Sequence, residues 1–185
     1  MEEAQKIVSP VLYYDPNDGS TIVCKRYGVH SVTGDIYVQR AAFDRKRLKL
    51  RMHKKTWCKV EPRMPTPREM KISGEKRRKR TNYRKVKYPY VMIYNSVKVD
   101  HDGKEIEHVE RKKIRIHRAV ASTLIERPDI HSSFSEEEWK GLSSDTKAKQ
   151  LGYLQVHHIN CDRNDWKPIN LEWKTHDEHR EIHGR

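Results

Sequence analysis

Five of the eleven histidines in this 185-residue chain lie between residues 154 and 185: His157, His158, His176, His179 and His183. Imidazole nitrogen binds a metal ion, and a free imidazole accepts or donates a proton near neutral pH. His179 and His183 are spaced i, i+4, so one helix face can present both to one ion. His157 and His158 are adjacent, so one could bind the ion while its neighbour moves a proton. The clustering predicts a functional metal site.

The elements that position these histidines follow from spacing. The predicted order is a strand at 154–157, a loop at 160–168, a strand at 171–174 and a helix at about 176–183. Alternating apolar residues favour the strands, and the Asn, Asp and Pro content favours the loop. Thr175 and Glu178 form a capping-box pattern that begins the helix. His176, His179 and His183 then share one helix face.

Two alternatives accompany this interpretation. Adjacent histidines on a strand point to opposite faces, although near a strand end the chain can turn both toward one cleft. A structural zinc ion that only stabilises a small hairpin would also use histidine ligands. Such a structural site does not need an additional histidine that binds no metal, so the adjacent pair favours a functional site over a purely structural one.

The same stretch closely resembles the HNH endonucleases, also called ββα-metal nucleases, and most of all their phage and intron-encoded homing members. The match runs through Val-His-His-Ile-Asn at 156–160, the loop at 162–168, Asn-Leu-Glu-Trp at 170–173, Thr175 and His179. It is tight over roughly the last sixth of the chain. Two positions depart from the family: Cys161 stands where Gly is common, and Trp166 where Arg is common. A turn role for Cys161 is favoured over a fourth metal ligand, because no second cysteine lies nearby.

The resemblance implies a role for each matching residue. His157 and His179 would be metal ligands, with His183 as a further ligand one turn later. His158 would be the general base. Asn170 would tie the loop together and orient that base. The activity implied is metal-dependent hydrolysis of DNA phosphodiester bonds that leaves 5′-phosphate and 3′-hydroxyl ends.

The implied cofactor is one divalent metal ion. Imidazole ligands favour zinc, nickel or manganese, and magnesium stays possible because water and phosphate oxygens can complete its shell. Two other functions stay open. One is a non-catalytic DNA-binding module with a structural zinc, and the other is a ribonuclease of the HNH type.

The chain is strongly basic, with a net charge of +13 and a pI near 9.7. Such a charge predicts a polyanionic partner and steep salt dependence of its binding. The resemblance implies that this partner is double-stranded DNA, and a monomer or a homodimer would fit. A run without acidic residues, KRRKRTNYRKVK, occupies 76–87. The residues predicted to contact phosphates there are Lys76, Arg77, Arg78, Lys79, Arg80, Arg84, Lys85 and Lys87.

The resemblance extends loosely from about residue 88 and implies that His117 and Arg118 hold or contact DNA. The alternative, that they only cap and pack their helix, is equally open.

The three cysteines are too few and too dispersed for a disulfide framework. No apolar run reaches membrane-spanning length, and the acidic N-terminus does not resemble a secretory signal. These features predict an intracellular, cytoplasmic protein and argue against membrane insertion. The resemblance to phage-encoded members implies a bacterial or phage-infected cell.

The predicted fold class is α+β, in which a β-hairpin and a helix lead into a C-terminal ββα-metal unit behind a basic, mostly-β N-terminal segment. Three regions are expected: a basic region at 1–60, a Pro-containing linker and basic arm at 61–87, and a nuclease domain at 88–185 with its core at 154–185. The hairpin is predicted from strands at 86–99 and 106–116, followed by a helix at 116–125. Residues 41–55 fit either a basic helix or an extended arm. Acidic capping patterns predict helices beginning at Ser135 and at Ser143 or Ser144.

Overall fold

Antiparallel strands and a few short helices make up the fold, which is mixed α+β. The computed structural model describes residues 7–44, 49–64, 88–100 and 102–184. Its strands are β1 (Ile7–Val8), β2 (Val11–Tyr14), β3 (Thr21–Cys24), β4 (Tyr27–His30), β5 (Ile36–Asp44), β6 (Lys49–Lys59), β7 (Tyr90–Val99), β8 (Glu105–Arg115), β9 (Gln155–His158) and β10 (Leu171–Lys174). Its helices are α1 (Ile116–Leu124), α2 (Glu136–Gly141), α3 (Ser144–Gly152) and α4 (His176–Ile182), with a 3-10 turn at Pro168–Asn170.

The central sheet has the strand order β2-β3-β7-β8 and is antiparallel throughout. Alternate side chains of these strands are buried, as expected for a sheet with one face on a core: Val11, Ile22, Val91 and Ile93 are each at most 1% exposed. The pairing of β3 with β7 crosses the boundaries predicted at residues 60 and 88. The N-terminal strands and the hairpin therefore share one sheet and one core.

Helix α1 packs on this sheet and supports its edge. Ala119, Val120 and Ala121 are fully buried. The backbone amide of Leu12 donates to Thr123 Oγ1 at 3.0 Å, and that of Tyr14 donates to Ser122 Oγ at 3.2 Å. Strand β2 is an edge strand, so these bonds satisfy amides that no neighbouring strand pairs. The predicted helix at 116–125 is confirmed to within one residue.

A second sheet has the order β1-β4-β5-β6. Strands β5 and β6 pair antiparallel from Tyr37 with Lys59 to Asp44 with Lys49. The stretch at 41–55 is therefore extended where it is described, which decides between the two predicted conformations. Cross-strand pairing provides the backbone hydrogen bonds that an isolated extended arm would lack.

The acidic insertion between α1 and β9 follows its capping patterns. Ser135 caps α2 in a full capping box with Glu138, and the Ser143 side chain accepts from the Thr146 amide at the start of α3. The end of α3 lies close to the turn between β2 and β3: a Cβ added to Gly152 would lie 2.6 Å from the Cα of Gly19. This close approach holds the end of α3 against the turn between β2 and β3, and so positions the chain just before β9 begins. Among the described residues, no helix is long and apolar enough to cross a membrane.

Candidate metal centre and the histidine cluster beside it

Strands β9 and β10 form a small hairpin that carries the candidate site. Its register pairs His158 with Leu171 and His157 with Glu172. Leu171 is 4% exposed, so the hairpin is anchored in the core. The order of strand, loop, strand and helix agrees with the prediction for residues 154–183.

Helix α4 begins in the predicted capping box. Thr175 Oγ1 accepts from the Glu178 amide at 3.3 Å, and Glu178 Oε2 accepts from the Thr175 amide at 2.7 Å. These bonds satisfy amides that have no partner within the helix. Because the cap fixes where the helix begins, it also fixes which helical residues face β9.

Asn170 ties the loop between the two strands together. Its Oδ1 accepts from the Asn160 amide at 2.9 Å, and its Nδ2 donates to Asn160 Oδ1 at 2.9 Å and to the Asp165 carbonyl at 2.8 Å. Its own carbonyl accepts from the Ile159 amide at 2.9 Å. Asn170 is 7% exposed. The residue thus holds the end of β9 in place, although none of these hydrogen bonds reaches the side chain of a histidine.

Three histidines meet between β9 and α4. One ring nitrogen each from His157, His179 and His183 lies within 4.8 Å of the others, close enough for the three to hold a metal ion. Ring centroids are 5.4 Å apart for His157 and His179, and 4.6 Å for His179 and His183. We call these three residues the metal triad.

The chemistry of the triad fits a cation. His157 is 4% exposed, and its Nδ1 atom is buried with no hydrogen-bond partner. Buried polar atoms are almost always paired, so this unpaired atom points to a partner from outside the chain. Burial lowers the pKa of His157, and the nearby His183 lowers it further. Both effects favour the neutral imidazole, the form that binds a metal.

His176 does not belong to the triad. Although it shares the helix with His179 and His183, its Nδ1 lies 2.9 Å from Gln155 Nε2 on β9. The hydrogen bond joins the first turn of α4 to the neighbouring strand. This contact agrees with a structural role for His176.

His158 enters a different environment from His157. Its ring lies 5.0 Å from that of His117, centroid to centroid, and 6.3 Å from that of Tyr88, with only 17° between the planes of Tyr88 and His158. We call Tyr88, His117 and His158 the inner cluster. The two adjacent histidines therefore contact separate sets of residues, as expected for neighbours on a strand.

The inner cluster holds imidazoles in their neutral form. Burial is the largest cause that lowers the pKa of His158, followed by the charges of His157 and Arg163. Burial also places the pKa of His117 well below its ordinary value. His158 Nε2 and His117 Nδ1 are buried without hydrogen-bond partners. A neutral imidazole at neutral pH is the state that a proton acceptor needs.

His117 and Arg118, which the resemblance predicted to hold or contact DNA, are both buried side chains. Both are 6% exposed. The Arg118 guanidinium donates to three carbonyls, at 2.7 Å to Tyr14, 2.7 Å to Leu154 and 2.8 Å to Gly152. A buried guanidinium needs such acceptors, and here they connect α1 to β2 and to the start of β9. The packing alternative therefore describes Arg118, and His117 lies in the inner cluster.

Two site residues were not predicted from the sequence. Tyr88 covers His158, and the Arg163 guanidinium lies 5.7 Å from the centroid of the Tyr88 ring. No local pattern marks either residue, because their neighbours come from distant parts of the chain. The predicted phosphate contacts at 76–87, from Lys76 to Lys87, lie outside the described residues.

Cys161 occupies a turn. Its backbone has φ of 61°, in the left-handed region, and its amide donates to the His158 carbonyl at 2.9 Å. This backbone conformation favours glycine. The preference for Gly that the resemblance implied at this position thus has a backbone cause.

Comparisons with family models, with curated proteins and with solved structures find no match to this chain.

Proposed function

We propose that the chain is a metal-dependent endonuclease of the HNH type that hydrolyses phosphodiester bonds in double-stranded DNA. The observation that carries the proposal is the arrangement around β9. A three-histidine group able to hold a cation lies on one side, and the next residue, His158, is a neutral imidazole outside that group. The capped helix and the loop tied by Asn170 support an assignment to the ββα-metal class.

In this proposal the metal triad holds one divalent ion through imidazole nitrogen. When bound, the ion supplies Lewis-acid stabilisation of charge on phosphate oxygens. Imidazole ligands favour zinc, nickel or manganese, and magnesium would need water and phosphate oxygens to complete its shell. The backbone of His157 is held by its strand pairing with Glu172, so this ligand is positioned by the β9–β10 hairpin.

His158 is assigned the role of general base. It would accept a proton from the attacking water, which requires the neutral form that its lowered pKa favours. Only 5% of its surface is exposed, and the Tyr88 ring stacks against it. The reaction therefore requires that the His158 ring become accessible to water when substrate binds.

One observation favours a second function. Because His158 is almost fully buried, the three-histidine group can instead hold a structural metal in a DNA-binding module that cuts nothing. In that case removal of the metal would loosen the β9–β10 hairpin, and replacing His158 would affect packing alone.

A plasmid-nicking assay separates the two functions. We expect the wild-type protein with Mn²⁺ or Zn²⁺ to convert supercoiled plasmid to nicked circles, and EDTA to stop it. His158→Ala should retain the fold and DNA binding but lose about 10²- to 10⁴-fold in rate, the usual contribution of general-base catalysis. His176→Ala is the matched control, since it removes a nearby imidazole outside both clusters. Full nicking by His158→Ala would contradict the proposal.

A parallel assay on RNA decides the substrate. The proposal expects faster cleavage of duplex DNA than of duplex or single-stranded RNA of the same sequence. The reverse order would assign a ribonuclease with the same site.

A further inference from the structure

Charge is divided unevenly along β8. Its first half, toward the hairpin turn, contains Glu105, Glu107 and Glu110. Its second half, which runs into α1, contains Arg111, Lys112, Lys113 and Arg115. The basic half is thus the half nearest the inner cluster. The acidic half lies beside cations of its own sheet, since Lys25 pairs with Glu105 and Lys98 is opposite Glu107. The cations of the second half are thus gathered at one end of the hairpin.

Alternation places three of these cations on one face. Arg111, Lys113 and Arg115 are exposed, whereas Ile114 between them is fully buried. Lys112 points to the other side and pairs with Asp15. Sequence patterns did not reveal this face, because its period of two involves charges rather than apolar residues.

The opposite strand adds aromatic rings to the same face. The register pairs Tyr90 with Arg115, Met92 with Lys113 and Tyr94 with Arg111. The Lys113 ammonium lies 3.6 Å from the centroid of the Tyr90 ring, and Tyr94 is 44% exposed. We call the surface made by Arg111, Lys113, Arg115 and Tyr94 the hairpin track.

The track continues into a basic cavity at one end. A cavity of about 510 Å³ is lined by Tyr94 of the track and by Met92, which pairs with Lys113 across the two strands. The cavity is also lined by the exposed cations Arg26, Lys59 and Arg63, with Glu61 as the acidic residue among its lining.

At its other end the track reaches the inner cluster. The Arg115 guanidinium lies 5.3 Å from the centroid of the Tyr88 ring, and the Arg163 guanidinium approaches the same ring at 5.7 Å. Tyr88 in turn stacks on His158. A phosphate bound by Arg115 would thus lie beside the ring that covers the proposed base.

We propose that the hairpin track binds the phosphate backbone of duplex DNA and leads the scissile strand to His158. The delivery step rests on the proposed nuclease function, whereas the binding step does not. Strands β7 and β8 are neighbours in the four-stranded sheet, and β8 is its edge strand among the described residues. Arginine and lysine bind phosphates, and the exposed Tyr94 ring offers apolar surface beside them.

The test compares two charge-matched variants of the full chain. R111Q/K113Q/R115Q removes the track cations, and K140Q/K147Q/K149Q removes three cations from the acidic insertion. Binding to a fluorescein-labelled DNA duplex is measured by anisotropy in EDTA across a salt series, so that no cleavage occurs. We expect the track variant to bind more weakly and to reduce the slope of log K against log salt by about 3, one for each phosphate that the protein no longer neutralises. The control variant should leave the slope of wild type unchanged to within about 1.

Equal weakening in both variants, or unchanged binding by the track variant, would overturn the proposal. If the track variant melts early, the single variant R111Q replaces it, with an expected slope change of about 1. Nicking then separates the two proposals. A track variant that binds as wild type while His158→Ala stops cleavage would overturn the track and leave the nuclease. Weakened binding by the track variant in a protein that never cuts DNA would support the track and overturn the nuclease.

Discussion

The two sides of β9 carry histidine clusters that differ in exposure, partners and chemistry. In the metal triad, burial decreases outward from His157 to the partly exposed His179 and the exposed His183. In the inner cluster, His117 and His158 are 6% and 5% exposed and lie against an aromatic ring. A one-residue step along the strand separates a group with an exposed member, His183, from one in which both histidines are buried.

This difference shows how one short strand can separate two tasks. A metal ligand must be accessible to an ion, and its nitrogen lone pair must be available. A proton acceptor must stay neutral, which burial achieves by penalising the charged form. Both environments leave a buried nitrogen unpaired, Nδ1 in His157 and Nε2 in His158. In the proposed function, the ring of His157 binds the cation and the ring of His158 accepts the proton.

The largest expected effect separates the two clusters by metal binding. His179→Ala removes one of three ligands and should weaken binding of Zn²⁺ at least as much as the loss of a residue behind a ligand, about 10- to 100-fold. His158→Ala should leave that affinity unchanged. Competition with a chromophoric chelator measures both. Equal weakening by the two variants would mean that the clusters form a single site.

The pH dependence of stability tests the inner cluster. The pKa of His117 is well below its ordinary value because the ring is buried, with the neighbouring His158 and Arg115 adding to the effect. Between its folded pKa and about 6.5, the unfolded chain binds a proton that the folded chain does not. The free energy of unfolding should therefore fall as pH decreases below about 6.5, by up to about 1.4 kcal/mol per pH unit for this group.

Urea unfolding of the metal-free protein at several pH values measures this slope. His117→Asn should reduce the slope of the free energy of unfolding against pH by up to about 1.4 kcal/mol per pH unit, the contribution of one proton. This holds whatever the substitution does to stability at neutral pH. An unchanged slope in His117→Asn would show that His117 is not held neutral by the fold.

Sequence alone predicted the local geometry of the metal side well. Spacing and a capping box indicated the order of strand, loop, strand and helix, and placed His179 and His183 one turn apart. Such features depend on residues close in sequence. The inner cluster depends on tertiary packing, which brings Tyr88 and His117 to His158 from distant segments. Local sequence patterns do not indicate which distant segments will pack against each other.

The roles of basic residues were harder to predict than their locations. Arg118 looked like a DNA contact but is buried among three carbonyls, whereas Arg111 and Arg115 carried no motif and are exposed. Charge alone does not distinguish a guanidinium that holds two segments together from one that faces solvent. Strand register explains why Arg111 and Arg115 face solvent, and the packing of α1 against β2 and the segment before β9 explains why Arg118 does not.

A smaller effect is expected for Tyr88, whose ring stacks on that of His158. Tyr88→Ala should expose the imidazole to water and raise the pKa of His158 toward its ordinary value, because burial is the main cause that lowers it. Titration of the ring protons by NMR in metal-free protein measures the change. Tyr94→Ala removes an exposed tyrosine of the same hairpin and should leave the pKa of His158 unchanged. A lower pKa of His158 in Tyr88→Ala would contradict the assigned cover.

The smallest expected effect lies in the turn after β9. Cys161 has φ of 61°, a conformation that costs a non-glycine residue about 1–2 kcal/mol. Cys161→Gly should raise the free energy of unfolding by up to about 1 kcal/mol, since the flexibility of glycine in the unfolded chain offsets part of the gain. Cys161→Val should lower it. Weaker metal binding in both variants would instead make Cys161 a ligand.

The most direct test of the two-sided arrangement is an anomalous difference map, recorded at the zinc absorption edge from crystals of the full chain grown with Zn²⁺. We expect one peak about 2.0–2.1 Å from a ring nitrogen of each of His157, His179 and His183, with none against His117 or His158. A peak bound by His158, or the absence of any peak at the triad, would contradict the separation of metal binding from proton transfer.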